Sequence, residues 1–280
     1  MWAPLAPPRF TAIGRYQPGI ARALQDRYFG FVTFRDLFSE RAELYSKYRP
    51  EYPERLFELV NTLVERHDAV WDCATGSGQA AKGLASYFTR VIATDASEEQ
   101  LAQAAKDPRI EYRVADASSS GLPDHSVDMV TVAQALHWLD LDCFYAEARR
   151  VVKPGGPVVI WGYGDPILET AQLSGILNEF NRGKIEEFWM PERTILLDRY
   201  AKIPFPFREV KVPEMHLERE WTLDELSGYL RTWSATANYL KKTGDDPVPA
   251  VTAALSKYWG GNERRRLVRW PLHIRAGYAD

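Results

Sequence analysis

The chain has 280 residues, 45% hydrophobic and 26% charged, with a formal net charge of −3. That length holds one large α/β domain, or a core domain with a sizeable elaboration. The near-neutral balance gives no electrostatic footing for nucleic acid or an anionic membrane as a main partner. The two cysteines, Cys73 and Cys143, are too few for a disulfide framework and have no metal-ligand spacing. No apolar run approaches the roughly 20 residues needed to span a bilayer. A reduced, cytoplasmic setting and no metal are the expectations.

The start of the chain is proline-rich, and Arg9, Arg15, Arg22, Arg27 and Arg35 face only Asp26 and Asp36 there. A dispensable extension, an arm packed on the domain and an import signal are all open readings of this segment. Further on, Leu56, Leu59, Val60, Leu63 and Val64 fall on one face of an amphipathic helix over 54–66. Pro50 and Pro53 suit its approach and first turn. A short strand at 69–71 runs through Asp72 into the small-residue loop Cys73-Ala74-Thr75-Gly76-Ser77-Gly78. Next come a helix over 79–88 and a strand over 90–94 ending at Asp95. Ser97 and Gln100 have capping-box spacing for a helix through Lys106. A strand over 110–114 ends near Asp116, and one over 127–133 ends at Gln134. A helix over 141–152, the turn Lys153-Pro154-Gly155-Gly156 and a strand over 157–163 complete this half.

Beyond residue 165 the reading is a helical stretch over 166–188, a proline-punctuated region over 190–206 and a strand at 210–212. Thr222 and Glu225 form a capping box for a helix through Trp233, and a strand over 270–278 ends the chain. Alternating strands and helices with short connections predict a doubly wound, mostly parallel sheet with helices on both faces. Ligands bind such sheets at the carboxyl ends of the strands, where Asp72, Asp95, Asp116 and Gln134 converge.

Two cofactors suit the glycine loop. Gly76-x-Gly78-x-x-Ala81 with Asp95 about 20 residues on satisfies the nicotinamide-dinucleotide pattern. Asp72 before the glycines repels a pyrophosphate, however, and attracts an ammonium group. Asp116 suits an adenine amino group. These acids favour S-adenosylmethionine (SAM), with a NAD-dependent oxidoreductase as the alternative.

The chain resembles class I SAM-dependent methyltransferases, in the subgroup of trans-aconitate methyltransferase-like and embryo-abundant-like proteins. The motifs that carry the resemblance include Phe34-Arg35-Asp36-Leu37-Phe38-Ser39, Tyr45-Ser46-Lys47-Tyr48-Arg49-Pro50-Glu51-Tyr52-Pro53 and the Asp72 loop. Val91-Ile92-Ala93-Thr94-Asp95, Val132-Ala133-Gln134-Ala135-Leu136-His137-Trp138, Lys153-Pro154-Gly155-Gly156 and Leu230-Arg231-Thr232-Trp233-Ser234-Ala235 continue it. It implies a Rossmann-like fold with a seven-stranded sheet and an antiparallel pair of last strands. Residues 1–33 then form an extension and 34–280 the domain, with 34–165 its cofactor core and 166–280 its acceptor-pocket elaboration and last strands.

By the same resemblance, Asp72 lies near the methionine amino group, and Ala74, Gly76, Gly78 and Gln79 line the loop. Asp95 receives the ribose hydroxyls and Ala96 packs beside the adenosine. Asp116 and Ala117 meet the adenine edge, and Gln134 faces the methionine end. Tyr45 and Arg49 are cofactor-binding residues on a lid segment that folds over the cofactor, Arg49 pairing with a carboxylate of cofactor or substrate, while His137 and Trp138 form the methyl-receiving pocket. Trp233 and Ser234 shape it further. One position departs from the family pattern: Ala74 stands where a glycine is usual. The resemblance implies transfer of a methyl group to a small-molecule acceptor, a carboxylic acid among the candidates, by a monomer or weak dimer. A SAM-binding relative without transfer activity is the non-enzymatic alternative.

Overall fold

The computed structural model describes residues 47–280; Tyr45 and the 1–33 extension lie outside the described residues. Helix α1 (Glu54–Thr62) forms where the apolar stripe predicts it and buries Leu56, Phe57 and Val60. The parallel half of the sheet consists of β1 (Ala69–Cys73), β2 (Arg90–Asp95), β3 (Ile110–Val114), β4 (Met129–Ala133) and β5 (Pro157–Tyr163). Their spatial order is β3-β2-β1-β4-β5. The crossovers are α2 (Gln79–Leu84), α3 (Glu98–Ala102) and α4 (Leu141–Val151). The Ser97 hydroxyl accepts from the Gln100 amide at 3.2 Å and so caps α3. β4 starts at Met129 rather than 127, because Val127 bridges to Val152 instead.

The second half departs more from the expected elements. The stretch over 166–188 is not one helix. It divides into β6 (Ile167–Leu168), α5 (Ala171–Glu179), a π turn at Phe180–Lys184 and a 3-10 turn at Glu186–Phe188. Pro166 lacks an amide hydrogen, and the next two residues pair with the last strand before the Thr170 hydroxyl caps α5. There follow α6 (Arg193–Leu197), β7 (Arg208–Val210), β8 (Met215–Trp221), α7 (Leu223–Arg231), α8 (Ser234–Thr243), α9 (Val248–Trp259) and β9 (Arg266–Tyr278). The Thr222–Glu225 capping box opens α7 as predicted.

The sheet thus has nine strands, but they occupy seven lanes. β9 spans 13 residues and has only two edges. β5 and β7 both pair with its Ala276–Tyr278 stretch, and β6 and β8 both pair near Val268 and Arg269. β5 with β6 therefore follow one edge, and β7 with β8 the other. Gly164–Pro166 and Lys211–Glu214 are the breaks, each with a proline that cannot donate to a ladder. The seven expected lanes and the antiparallel last pair are both present. Apolar side chains fill both faces, one around Trp161, Phe57 and Trp270, the other around Trp71, Phe144 and Tyr145.

Candidate active site

The sheet order reverses beside β1, where β2 and β4 flank it. That places the loop after β1 in the crevice favoured by ligands. Asp72, the fourth residue of β1, is fully buried. Its Oδ2 accepts from the Thr75 hydroxyl at 2.5 Å and its Oδ1 from the Thr131 hydroxyl of β4 at 2.8 Å. Burial outweighs these two bonds and pushes its carboxyl up to about 6, with the nearby Asp95 charge adding to the rise. The Thr75 and Thr131 bonds mean that Asp72 braces the loop from beneath rather than standing in it.

The backbone turns left-handed at three places along this loop: Ala74 (φ 53°), Gly76 (φ 58°) and Gly78 (φ 79°). Gly78 also has no room for a side chain, since a Cβ there would lie 2.4 Å from the Tyr112 hydroxyl. Gln79 opens α2, partly exposed. Asp95, at the end of β2, accepts from the Gly76 amide at 2.8 Å and the Ser97 amide at 2.9 Å. A carboxylate has four acceptor positions, so this anchoring is compatible with two ribose hydroxyls. Ala96 is exposed beside it, and Asp116 is exposed after β3, where it accepts from the Ser118 amide and hydroxyl. Ala117 is half-buried. The loop glycines, the acids Asp95 and Asp116 and the exposed Ala96 thus lie at or just past the carboxyl ends of neighbouring parallel strands.

Past β4, Gln134 also adopts a left-handed conformation (φ 56°). Its side chain crosses to β5, accepting from the Tyr163 amide at 2.7 Å. The chain then enters a 3-10 turn, Leu136–Trp138. Here a recess, partly open to solvent, is lined by Gln134, His137, Trp138, Tyr163, Asp165 and Arg49. Trp189, Met190, Arg193, Leu196, Tyr229 and Trp233 complete its lining.

His137 is 6% exposed, its ring 4.7 Å from that of Trp138, and its Nδ1 is buried without a hydrogen-bond partner. Burial, and then the charge of Arg193, push its imidazole down to about 3. It is therefore neutral near pH 7. Arg49 donates to the Tyr163 hydroxyl at 3.0 Å and the Thr232 carbonyl at 3.2 Å, and lies over the Tyr229 ring. Arg193 stacks 3.6 Å over the Trp189 ring and pairs with Asp165.

The structure thus brings His137, Trp138, Gln134 and Arg49 into one recess, with Trp233 and Ser234 beside them. Asp72, Ala74, Gly76, Gly78, Asp95 and Asp116 lie along the neighbouring strand ends. Sequence reasoning passed over Tyr163, Asp165 and Arg193, and left Trp189 among seven aromatics of the second half without saying which of them line the pocket. Asp165 carried the signal used for the other acids, since it follows a strand and a glycine. Arg193 carried none, as its segment has no clear period.

A doubly wound sheet with a glycine loop at its switch point places the chain among α/β proteins that bind ligands at strand ends. Similarity to known proteins makes the class specific. Residues 71–160 match the methyltransferase domain family. A solved structure from Anaeromyxobacter dehalogenans, described as a type II methyltransferase, is 41% identical; the match covers 82% of this chain and 98% of that one, with a TM-score of 0.78. A Dictyostelium discoideum protein named as a methyltransferase is 30% identical over 249 residues, 87% of this chain and 95% of its own. An uncharacterized methyltransferase of Mycobacterium tuberculosis is 32% identical over 223 residues, 72% and 88% of the two chains. The chain belongs to the class I SAM-dependent methyltransferases, and SAM is its methyl donor. The nicotinamide reading of the glycine loop is thereby set aside. No helix among the described residues is long and apolar enough to cross a membrane.

Proposed function

We propose that this methyltransferase acts on a small-molecule acceptor held in the recess beside His137, and that a carboxylate oxygen takes the methyl group. One observation carries the reading: the histidine that lines the recess, His137, is buried and held neutral. A phenol or ammonium group, with a pKa near 10, must lose a proton to become a nucleophile. An imidazole pushed down to about 3 is too weak a base for that. A carboxylate is ionised at neutral pH and needs no base.

The sulfonium donor supplies the methyl carbon, whose bond to sulfur breaks as the acceptor oxygen's lone pair bonds to it. The chain's own part is positioning, which lowers such barriers by several kcal/mol. In this reading Asp95 receives the ribose hydroxyls, with Ala96 packed beside the adenosine. Asp116 and Ala117 meet the adenine edge. Asp72 orients the loop, Ala74, Gly76 and Gly78, on which the methionine arm rests, with Gln79 behind it. Gln134 separates the two compartments, and His137 and Trp138 wall the acceptor side. Arg49 clips the segment before α1 onto the recess, excluding water from one side.

Calorimetry with SAM, with S-adenosylhomocysteine and with NAD as control tests the cofactor half. Asp95→Ala is expected to weaken SAM binding strongly, and unchanged affinity would remove the ribose assignment. A homocysteine-release assay across carboxylic acids, phenols and amines tests the acceptor half. His137→Ala should lower turnover more than SAM affinity; turnover confined to phenols or amines refutes the carboxylate reading.

A further inference from the structure

Arg193 is the least accounted-for charge in the recess. Its side chain is 12% exposed, so it is nearly as buried as the aromatics around it. Stacking 3.6 Å over Trp189 fixes the plane of its guanidinium. Its hydrogen bonding is far from complete, since Asp165 is its single partner and a guanidinium carries five N–H donors. Nor does Asp165 serve it alone. That carboxylate also accepts from Asn181 at 3.0 Å and pairs with Arg182 at 3.2 Å. The spare donors of Arg193 open on the recess, where an anionic ligand can take the place of water and make charge-assisted hydrogen bonds. Arg49, the other cation, is committed to Tyr163, Thr232 and the Tyr229 face.

The anion that completes Arg193 is not the group that is methylated. As a carboxylate oxygen attacks the methyl carbon, its negative charge disperses. A guanidinium bonded to it holds the ground state more tightly than the transition state, which slows the reaction. The neutral His137, by contrast, can bond the reacting group without quenching its charge. We propose, resting on the methyltransferase reading above, that Arg193 is a specificity-determining residue: it anchors an anionic group of the acceptor distinct from the atom that receives the methyl. The acceptor then carries at least two functional groups, an anchor at Arg193 and a nucleophile beside His137. Trp189 and Trp233, whose rings lie 5.3 Å apart, pack the body between them.

The test uses protein loaded with S-adenosylhomocysteine and calorimetric titration with aliphatic diacids of graded length and benzenedicarboxylic acids. Each is compared with its monomethyl and dimethyl esters. Diacids and monoesters are expected to bind and diesters not. Arg193→Gln should weaken both anions at least roughly tenfold, the usual size of a charge-assisted hydrogen bond. Arg193→Lys should recover part of the loss, keeping the charge but not the planar fork. SAM affinity and melting temperature should be retained in both variants. Equal binding of acids and diesters, no binding of any acid, or anion binding unchanged in Arg193→Gln each overturns the proposal. Loss of SAM affinity in Arg193→Gln overturns it too, by assigning Arg193 to the cofactor's carboxylate. Failure of the wild-type protein to bind SAM sinks the cofactor assignment instead, while the acid and ester titrations still decide Arg193.

Discussion

Asp72→Asn isolates the electrostatics beneath the cofactor loop. The wild-type carboxyl is pushed from 3.8 up to about 6, chiefly by burial, although Thr75 and Thr131 each donate a hydroxyl to it. Between these two values the folded chain holds a proton that the unfolded chain has released. Stability therefore falls as pH rises through this window, and the loss is complete above about 6. A shift of about two units corresponds to about 3 kcal/mol, at 1.36 kcal/mol per unit. Asparagine does not ionise. Its carbonyl oxygen can accept from one threonine and its amide can donate to the other, so both bridges can persist. Urea unfolding of wild type and variant without cofactor, from pH 4 to 8, gives the difference directly. Other titrating groups cancel in that difference if they do not interact with residue 72. Relative to wild type, the variant should gain about 2 kcal/mol between pH 4 and 7, the rest of the ~3 kcal/mol lying below pH 4. A difference flat to within about 0.5 kcal/mol would refute the reasoning, because a carboxyl buried this way has to show its proton.

Three further substitutions probe the geometry. Ala74→Gly should relieve the roughly 1–2 kcal/mol of a left-handed alanine, less about 0.4–1 kcal/mol of added unfolded-state entropy. A small rise in melting temperature is expected, and a fall would show that the φ of 53° carries no strain. Gly78→Ala drives a methyl against the Tyr112 hydroxyl at 2.4 Å and should destabilise by about 2 kcal/mol or more. Tyr112→Phe added to it should recover part of that in urea unfolding; no recovery would place the clash elsewhere. Gly162→Ala puts a Cβ 2.5 Å from the Tyr200 hydroxyl and 2.6 Å from Leu196 Cδ1, behind the recess wall. It should reduce turnover of the acceptor while leaving SAM affinity within about twofold, the calorimetric equivalent of under 0.5 kcal/mol. Equal loss of both would show that the two compartments are not separable.

The residues read as the cofactor half of the site could be located because local rules place them. Asp72 and Asp95 close short apolar runs and Asp116 lies just past the more polar β3, and a parallel sheet brings all such exits to one edge. Gly76 and Gly78 announce backbone that needs a positive φ, and both have it. The carboxyl of Asp72 was legible in place but not in posture. Its bond to Thr131 joins residues 59 apart, a pairing set only once β4 lies beside β1. β8 escaped notice because every second residue, His216, Glu218 and Glu220, faces solvent, leaving too few apolar positions to mark a strand. Its inward Leu217 and Trp221 are evident once β9 is alongside. The helix expected over 166–188 failed at Ile167 and Leu168, where pairing with β9 outweighed a weak helical period.

The acceptor half is assembled at long range, and Arg49 shows what that assembly does. Its two donors reach a strand-end tyrosine 114 residues away and a helix-end carbonyl 183 residues away. Tyr48, next to it, packs so closely on α7 that a Cβ at Gly228 would lie 2.4 Å from its ring. The segment before α1 is thus fastened to β5 and α7 at once, and both supply walls of the recess. Because the Tyr163 amide also donates to Gln134, the same strand end is bonded to the segment that leads into His137. The Arg49 segment, the end of β5 and the turn leading to His137 are therefore joined through Tyr163, whose hydroxyl and amide make the two bonds. The Gly76 amide bond to Asp95 lies at the exits of β1 and β2 and shares none of these groups.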